Sequence, residues 1–177
     1  MIKAAIFSIL YSLILLACAS TTEKLQGADF YFAEGQKALA KNRCIEATEH
    51  FQRLVNNFPG SQLVTEGQYL LAESFFCGDD FVNAAFEYQR LIDIYPGSKW
   101  AEEAQFKIGE SNYKQIRDPE LDQKETYDTL TAFRNFIQDN PMSSRVDIAR
   151  SRIAECRENL AEKLYQAAYL YQRQGYA

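Results

Sequence analysis

One stretch of this chain recurs further along it. The segment that starts at Pro59 returns 37 residues later from Pro96, and both copies begin with Pro-Gly-Ser. A weaker third copy begins at Pro141. A period of roughly 20 to 50 residues is typical of repeat proteins, in which each unit buries its apolar face only by stacking on its neighbour. Such proteins usually present binding surfaces, so the sequence favours binding over catalysis.

The composition suits one domain around a continuous apolar core. The chain has 177 residues, of which 47% are hydrophobic, and its formal net charge is −5. An acidic chain without clustered Lys and Arg lacks the positive stripe that contacts to phosphates require. We therefore expect no nucleic-acid partner.

The first 17 residues have the pattern of a signal peptide, with Lys3 followed by a short apolar stretch. The stretch ends in Leu-Leu-Ala before Cys18, which resembles the bacterial lipobox and implies that Cys18 is diacylated and becomes the mature N-terminus. An uncleaved signal anchor and ordinary secretion are the alternatives. Ala19 implies the outer membrane, by resemblance to enterobacterial sorting patterns. Residues 18–27 are predicted to be the tether between lipid and fold.

Three cysteines remain beyond the predicted lipidation site: Cys44, Cys77 and Cys156. Their odd number leaves at least one free thiol. Cys44 opens one predicted helix and Cys77 closes the next, so a disulfide between them and two separately buried thiols are both compatible with the sequence. No spacing of Cys and His indicates a metal site.

Apolar residues recur every three or four positions between the leader and the C-terminus, which predicts an all-helical fold. Turn signals divide the chain and predict helices at about 28–41, 44–58, 62–77, 81–95, 99–116, 123–139 and 144–174. Ser61, Ser98 and either Ser143 or Ser144 are predicted to be N-caps. The charged stretch around 117–124 is predicted to be an exposed loop.

The units resemble the tetratricopeptide repeat, which has a small residue at position 8, Ala at 20, an aromatic at 24 and Pro at 32. These positions hold Gly35, Ala47, Phe51 and Pro59 in the first unit and Ala72, Ala84, Tyr88 and Pro96 in the second. The resemblance implies an all-α superhelix of about three and a half repeats over 28–177. Its units are expected at about 28–61, 62–98, 99–143 and an incomplete 144–177. Because no partner helix follows the last one, we expect a fragment or an unusually short homologue.

In such a superhelix, positions 2, 5, 9 and 12 of each unit point into the concave face. The side chains predicted to bind a peptide there are aromatic at positions 5 and 12 and acidic at position 9: Phe32, Tyr69, Phe106, Phe76, Tyr113, Glu73 and Glu110. Aromatic surfaces with a few polar groups suit an extended peptide with its own aromatic side chains. The alternatives are that the position-5 aromatics belong to the core, and that the glutamates are solvated or pair helices.

The sequence lacks the arrangements that catalysis needs. It contains no nucleophile with a base, no phosphate loop and no paired carboxylates in an apolar setting. Asp79-Asp80 is interpreted as a helix-ending turn, and His50, the only histidine, as a surface residue. We expect neither enzymatic activity nor a cofactor.

The lipobox, the tether, the repeats ending in Phe-Pro-Gly-Ser and Tyr-Pro-Gly-Ser, and the segment from Leu160 to Tyr176 together resemble the BamD family over residues 15–177. That family comprises lipoproteins of the outer-membrane β-barrel assembly (BAM) machinery. The resemblance implies a periplasmic scaffold that binds BamA, the barrel-forming insertase, other BAM lipoproteins and unfolded outer-membrane proteins. Family members usually carry five repeats, and the later ones are credited with the BamA contact. The alternative is a tetratricopeptide lipoprotein scaffold for cell-wall or pilus assembly.

Overall fold

The computed structural model describes residues 26–175. The predicted signal peptide, Cys18 and most of the predicted tether lie outside these residues. Residues 26–175 form seven α-helices and no β-strand. The helices are α1 (Ala28–Ala40), α2 (Cys44–Asn57), α3 (Val64–Cys77), α4 (Phe81–Ile94), α5 (Ala101–Tyr113), α6 (Lys124–Asp139) and α7 (Val146–Arg173). The predicted all-helical fold is confirmed.

Each helix packs against the next one in the chain, as in a tetratricopeptide-type α solenoid. The first helices of successive pairs also contact each other, α1 with α3 and α5 with α7. Apolar side chains form three core clusters, one in α1–α3, one in α3–α5 and one in α5–α7. The described helices are therefore joined by stacking, and the first helices of the pairs lie side by side along one face, here called the inner face.

Small residues allow this close packing of helices. Gly35 of α1 lies so close to Phe51 of α2 that a Cβ added to the glycine would be 2.7 Å from the ring. Gly109 of α5 lies on Phe133 of α6 in the same way, with a distance of 2.6 Å. Both rings are fully buried. The small residue and the aromatic of the repeat pattern therefore fill one space together.

The substitution Gly109→Ala tests the tight contact between α5 and α6. Alanine in a helix normally stabilises by about 1 kcal/mol relative to glycine. Here we expect a net loss of about 1–2 kcal/mol, because the methyl group would overlap the buried Phe133 ring. Urea unfolding measures the difference. Gly97→Ala is the control, since nothing lies within 4 Å of an added Cβ there. A stabilised Gly109→Ala protein would contradict the tight packing.

The predicted N-caps are wrong by one or two residues. Helix α3 begins at Val64, and Ser61 Oγ instead accepts a hydrogen bond from the Leu63 backbone N–H in the preceding turn, at 3.2 Å. The turns before α5 and α7 repeat this bond, with Ser98 accepting from Trp100 and Ser143 from Arg145. A serine two residues before the N-cap orders the turn rather than the first helical amides. The predicted helix at 99–116 begins before α5 and ends after it, and the predicted helix at 144–174 likewise extends beyond both ends of α7.

Left-handed residues end α1 and α3 at equivalent positions. Asn42 has φ 56° and Asp79 has φ 58°, a conformation that short polar side chains tolerate better than others. Asp80 then caps α4, because its side chain accepts a hydrogen bond from the Asn83 backbone N–H at 3.2 Å. The interpretation of Asp79-Asp80 as a helix-ending turn is confirmed. His50, which was interpreted as a surface residue, is half-buried beside Phe30 and Tyr31.

The structure decides between the two alternatives for the cysteines. Cys44 and Cys77 form a disulfide, with 5.6 Å between their Cα atoms. It joins the beginning of α2 to the end of α3, as expected for adjacent antiparallel helices. Cys156 is a buried free thiol in α7. Burial raises the pKa of this thiol to about 11, so at neutral pH it is protonated and poorly reactive.

Candidate peptide-binding face

The predicted binding residues lie on the first helices of the pairs, and the structure divides them into two groups. The position-5 aromatics belong to the core, with Tyr69 only 8% and Phe106 only 4% exposed. Phe32 is half-buried against Phe51. Phe76 and Tyr113 at position 12 are half-buried and keep part of their surface open.

A residue from the next unit covers each buried position-5 ring. Trp100, in the turn before α5, stacks on Tyr69 with 4.4 Å between ring centroids. Arg145, in the turn before α7, lies over Phe106 with its guanidinium carbon 4.8 Å from the centroid. The interpretation of Tyr69 and Phe106 as exposed ligand contacts is therefore wrong, and the core alternative holds for them.

A cation from the next unit also lies over Phe76. Lys107 of α5 places its Nζ 4.6 Å from the centroid of the ring and 3.1 Å from Oε1 of Glu73. Glu73 also accepts a hydrogen bond from the hydroxyl of buried Tyr88. The aromatic ring, the cation and the glutamate thus join α3 to α5.

The same arrangement recurs one unit later. Arg152 of α7 lies 4.1 Å above the Tyr113 ring, and its Nε donates to Oε1 of Glu110 at 3.1 Å. Glu155 extends the group, because it accepts from Tyr113 Oη and from Arg152. We call the two groups cation clamps: Phe76–Lys107–Glu73 and Tyr113–Arg152–Glu110. Glu73 and Glu110 therefore pair helices, which was the alternative left open for them.

Protonation in the second clamp follows from its contacts. The hydrogen bond to Glu155 is the main cause that raises the pKa of Tyr113, and the same bond lowers the pKa of Glu155. Tyr88 donates a hydrogen bond to Glu73 of the first clamp, and burial of Tyr88, followed by the charge of Glu73, raises its pKa. At neutral pH both tyrosines are protonated donors and Glu155 is an ionised acceptor. The inner face thus combines partly open rings with fixed charges of both signs.

A second row of ion pairs runs along the same helices. Lys99 Nζ, in the turn before α5, lies 3.8 Å from Glu66 of α3, and Arg145, in the turn before α7, lies 2.5 Å from Glu103 of α5. These ion pairs join the same units again. Among residues 26–175, no ion pair joins α1 to α3. The first two units are instead joined by the disulfide between α2 and α3.

Sequence reasoning missed the cations of the clamps. Lys107 and Arg152 are 45 residues apart, as are Pro96 and Pro141, and therefore occupy equivalent positions in their units. This recurrence was the signal that could have identified them. Leu70 and Ala33 occupy the same position in the two earlier units, so those units contribute no clamp cation.

Two other kinds of site are absent from the described part of the chain. Residues 26–175 hold no group of three or more His, Cys, Asp or Glu side chains placed to ligate a metal. None of the described helices combines the length and apolarity that a membrane span requires. The paired helices and their inner face are thus the features on which a functional argument can rest.

A family model matches most of the chain. No curated protein matches the chain. The family model of YfiO, described as an outer membrane lipoprotein, matches residues 25–177 and so covers all seven helices. On this evidence the chain belongs to the YfiO family of outer membrane lipoproteins.

Proposed function

We propose that this protein is a non-catalytic scaffold lipoprotein of the outer-membrane β-barrel assembly machinery, acting at the periplasmic face of the outer membrane. It binds segments of unfolded outer-membrane proteins and subunits of the machinery, and so assists the insertion of barrels. The observation that carries the proposal is the family membership together with a solenoid whose inner face holds two partly open aromatic rings beside fixed charges.

The inner face offers two kinds of contact to an extended segment. The partly open rings of Phe76 and Tyr113 can pack against aromatic side chains of a client. Lys107 and Arg152 each pair with a glutamate on the neighbouring helix, and each keeps a further N–H donor that can reach a client carboxylate. A segment that crosses α3, α5 and α7 would meet both clamps in turn. Phe32 supplies a third half-buried ring on α1.

The anchor and the compartment form part of the same proposal. Cys18 carries the lipid and residues 18–27 tether the solenoid to the membrane. The Cys44–Cys77 disulfide supports an oxidising compartment such as the periplasm, because such bonds are rare where thiols are kept reduced. The proposed partners are a BamA-like insertase, other lipoproteins of the machinery and unfolded barrel proteins.

The test is crosslinking of the protein to a peptide with the C-terminal sequence of a barrel protein. We expect the double variant Phe76→Ala, Tyr113→Ala to lower the peptide affinity by about tenfold, which corresponds to about 1.4 kcal/mol. The physical reason is the loss of both partly open rings from the inner face.

Controls separate lost binding from lost folding. Ile94→Ala with Met142→Ala removes two exposed apolar side chains outside the clamps and should leave the affinity unchanged. Phe76→Leu with Tyr113→Phe keeps most of the apolar volume while it alters the ring contacts, and thermal unfolding checks each variant. Unchanged peptide capture by a folded double-alanine variant would refute the role of this face.

A further inference from the structure

An apolar residue lies exposed at the same position of α2, α4 and α6, the second helices of the pairs. These residues are Ile45, Val82 and Tyr127, and their separations of 37 and 45 residues equal those of the prolines that end the units. Their exposed fractions are 79%, 66% and 59%. We call these three residues the outer row.

The outer row is not needed to hold the solenoid together. Helix α4 turns Ala84, Tyr88 and Leu91 into the core, whereas Val82 lies on its opposite side. Phe86, one turn after Val82, is 63% exposed and widens the row at this unit. One exposed apolar residue is ordinary, but recurrence at equivalent positions of three units forms a pattern that internal packing does not explain.

The row borders a depression in the surface. A cavity of about 270 Å³ opens beside Ile45 between the beginning of α2 and the end of α3. Phe75 and the small Gly78 line it, and Asp80 lies at its edge. An apolar side chain of a partner therefore has a place to enter beside the first residue of the row.

Negative charge surrounds the outer row. The nearby cations Arg43 and Lys124 are already paired with Glu46 and Asp128, at 2.7 and 2.5 Å. Within four residues of the row, four further carboxylates, Glu49, Asp79, Asp80 and Glu125, outnumber the one further cation, Lys41. Carboxylates at a helix N-terminus stabilise the helix, and they also set the sign of the charge that a partner meets.

We propose that the outer row is a docking surface for a protein segment that carries apolar side chains flanked by Lys or Arg. Apolar contacts with Ile45, Val82 and Tyr127 supply the affinity, and the surrounding carboxylates select a basic partner. Two copies of this chain packed row against row do not fit, because the same carboxylates would then lie opposite each other. An anionic lipid surface is disfavoured for the same reason. This surface is separate from the clamps of the inner face.

The first test uses synthetic peptides as probes. One probe is an amphipathic helix of Leu and Lys, and the other has Glu in place of every Lys. The full mature protein should bind the Lys probe and not the Glu probe in a fluorescence anisotropy titration. The triple variant Ile45→Ser, Val82→Ser, Tyr127→Ser should weaken binding of the Lys probe by at least about tenfold, because each residue contributes apolar contact area.

The matched control is Gln52→Ser with Gln89→Ser, two exposed residues on the same second helices. It should bind the Lys probe like the unaltered protein. Equal weakening by the control and the triple variant would overturn the proposal, since binding of the Lys probe would then not depend on the outer row. Retained affinity in a folded triple variant would overturn it as well.

The second test places a photoreactive phenylalanine analogue at position 82 or, as the control, at position 89 in living cells. Mass spectrometry then reads the sequence of the captured segment. We expect adducts from position 82 only, and captured segments with apolar residues flanked by Lys or Arg. Adducts with a second copy of this chain, with lipid, or equally from both positions would overturn the proposal. The Phe76→Ala, Tyr113→Ala variant should crosslink from position 82 unchanged, so this test is independent of the proposed function.

Discussion

Replacement of Cys44 and Cys77 by serine is expected to lower the free energy of unfolding by about 3–4 kcal/mol. The disulfide closes a loop with a sequence separation of 33 residues, and its removal gives the unfolded chain more conformations. The loss should concentrate in α1–α3, where the first core cluster lies. Urea unfolding measures the total effect, and native-state hydrogen exchange shows where it falls.

A thiol-labelling experiment controls this result. The folded, oxidised protein should take up little label at neutral pH, because Cys156 is buried and its pKa is raised to about 11. Reduction should expose two further thiols to the label. Unfolding of the serine variant at the same urea concentration as the oxidised protein would show that the disulfide does not stabilise the native state.

Phe133→Ala should lower the free energy of unfolding by about 3–5 kcal/mol. Phe133 is fully buried in the α5–α7 cluster, and its ring fills the space above Gly109. Truncation therefore leaves a cavity between α5 and α6 that neighbouring side chains can fill only partly. Urea denaturation of the mature protein gives the value.

Two comparisons make the Phe133 result specific. Phe86→Ala removes the same ring from an exposed site of α4 and should change stability by less than about 0.5 kcal/mol. Hydrogen exchange in Phe133→Ala should increase first in α6 and α7, because each repeat is stabilised mainly by its neighbours. Uniform loss of protection across all seven helices would contradict this local coupling.

The overall fold could be predicted because one physical requirement recurs along the chain. A small residue opposite an aromatic at a fixed spacing is needed for close helix packing, and Gly35 with Phe51 satisfies it. Helix starts were less accessible, since a serine two residues before the N-cap resembles an N-cap in sequence. The three separate apolar clusters follow from the same recurrence of units.

The candidate site was predicted only in part. The aromatics at positions 5 and 12 look alike in sequence, but residues of the following unit decide their exposure. Trp100 stacks on Tyr69, which is buried, whereas Lys107 leaves part of Phe76 open. These contacts depend on how far one unit rotates against the next, which the repeat spacing does not specify. The disulfide was likewise one of two alternatives until the ends of α2 and α3 were located.

The junctions along the solenoid differ in how they resist bending. A covalent bond holds the beginning of α2 to α3, whereas partly exposed charges tie α3 to α5 and α5 to α7. Dissolved ions screen such charges over about 10 Å at 0.1 M salt. Because the paired atoms lie well within this distance, added salt should weaken the pairs only modestly, and it leaves the disulfide between α2 and α3 unchanged. In the described residues, a reducing agent therefore acts on the junction between the first two units, whereas salt acts on the later junctions.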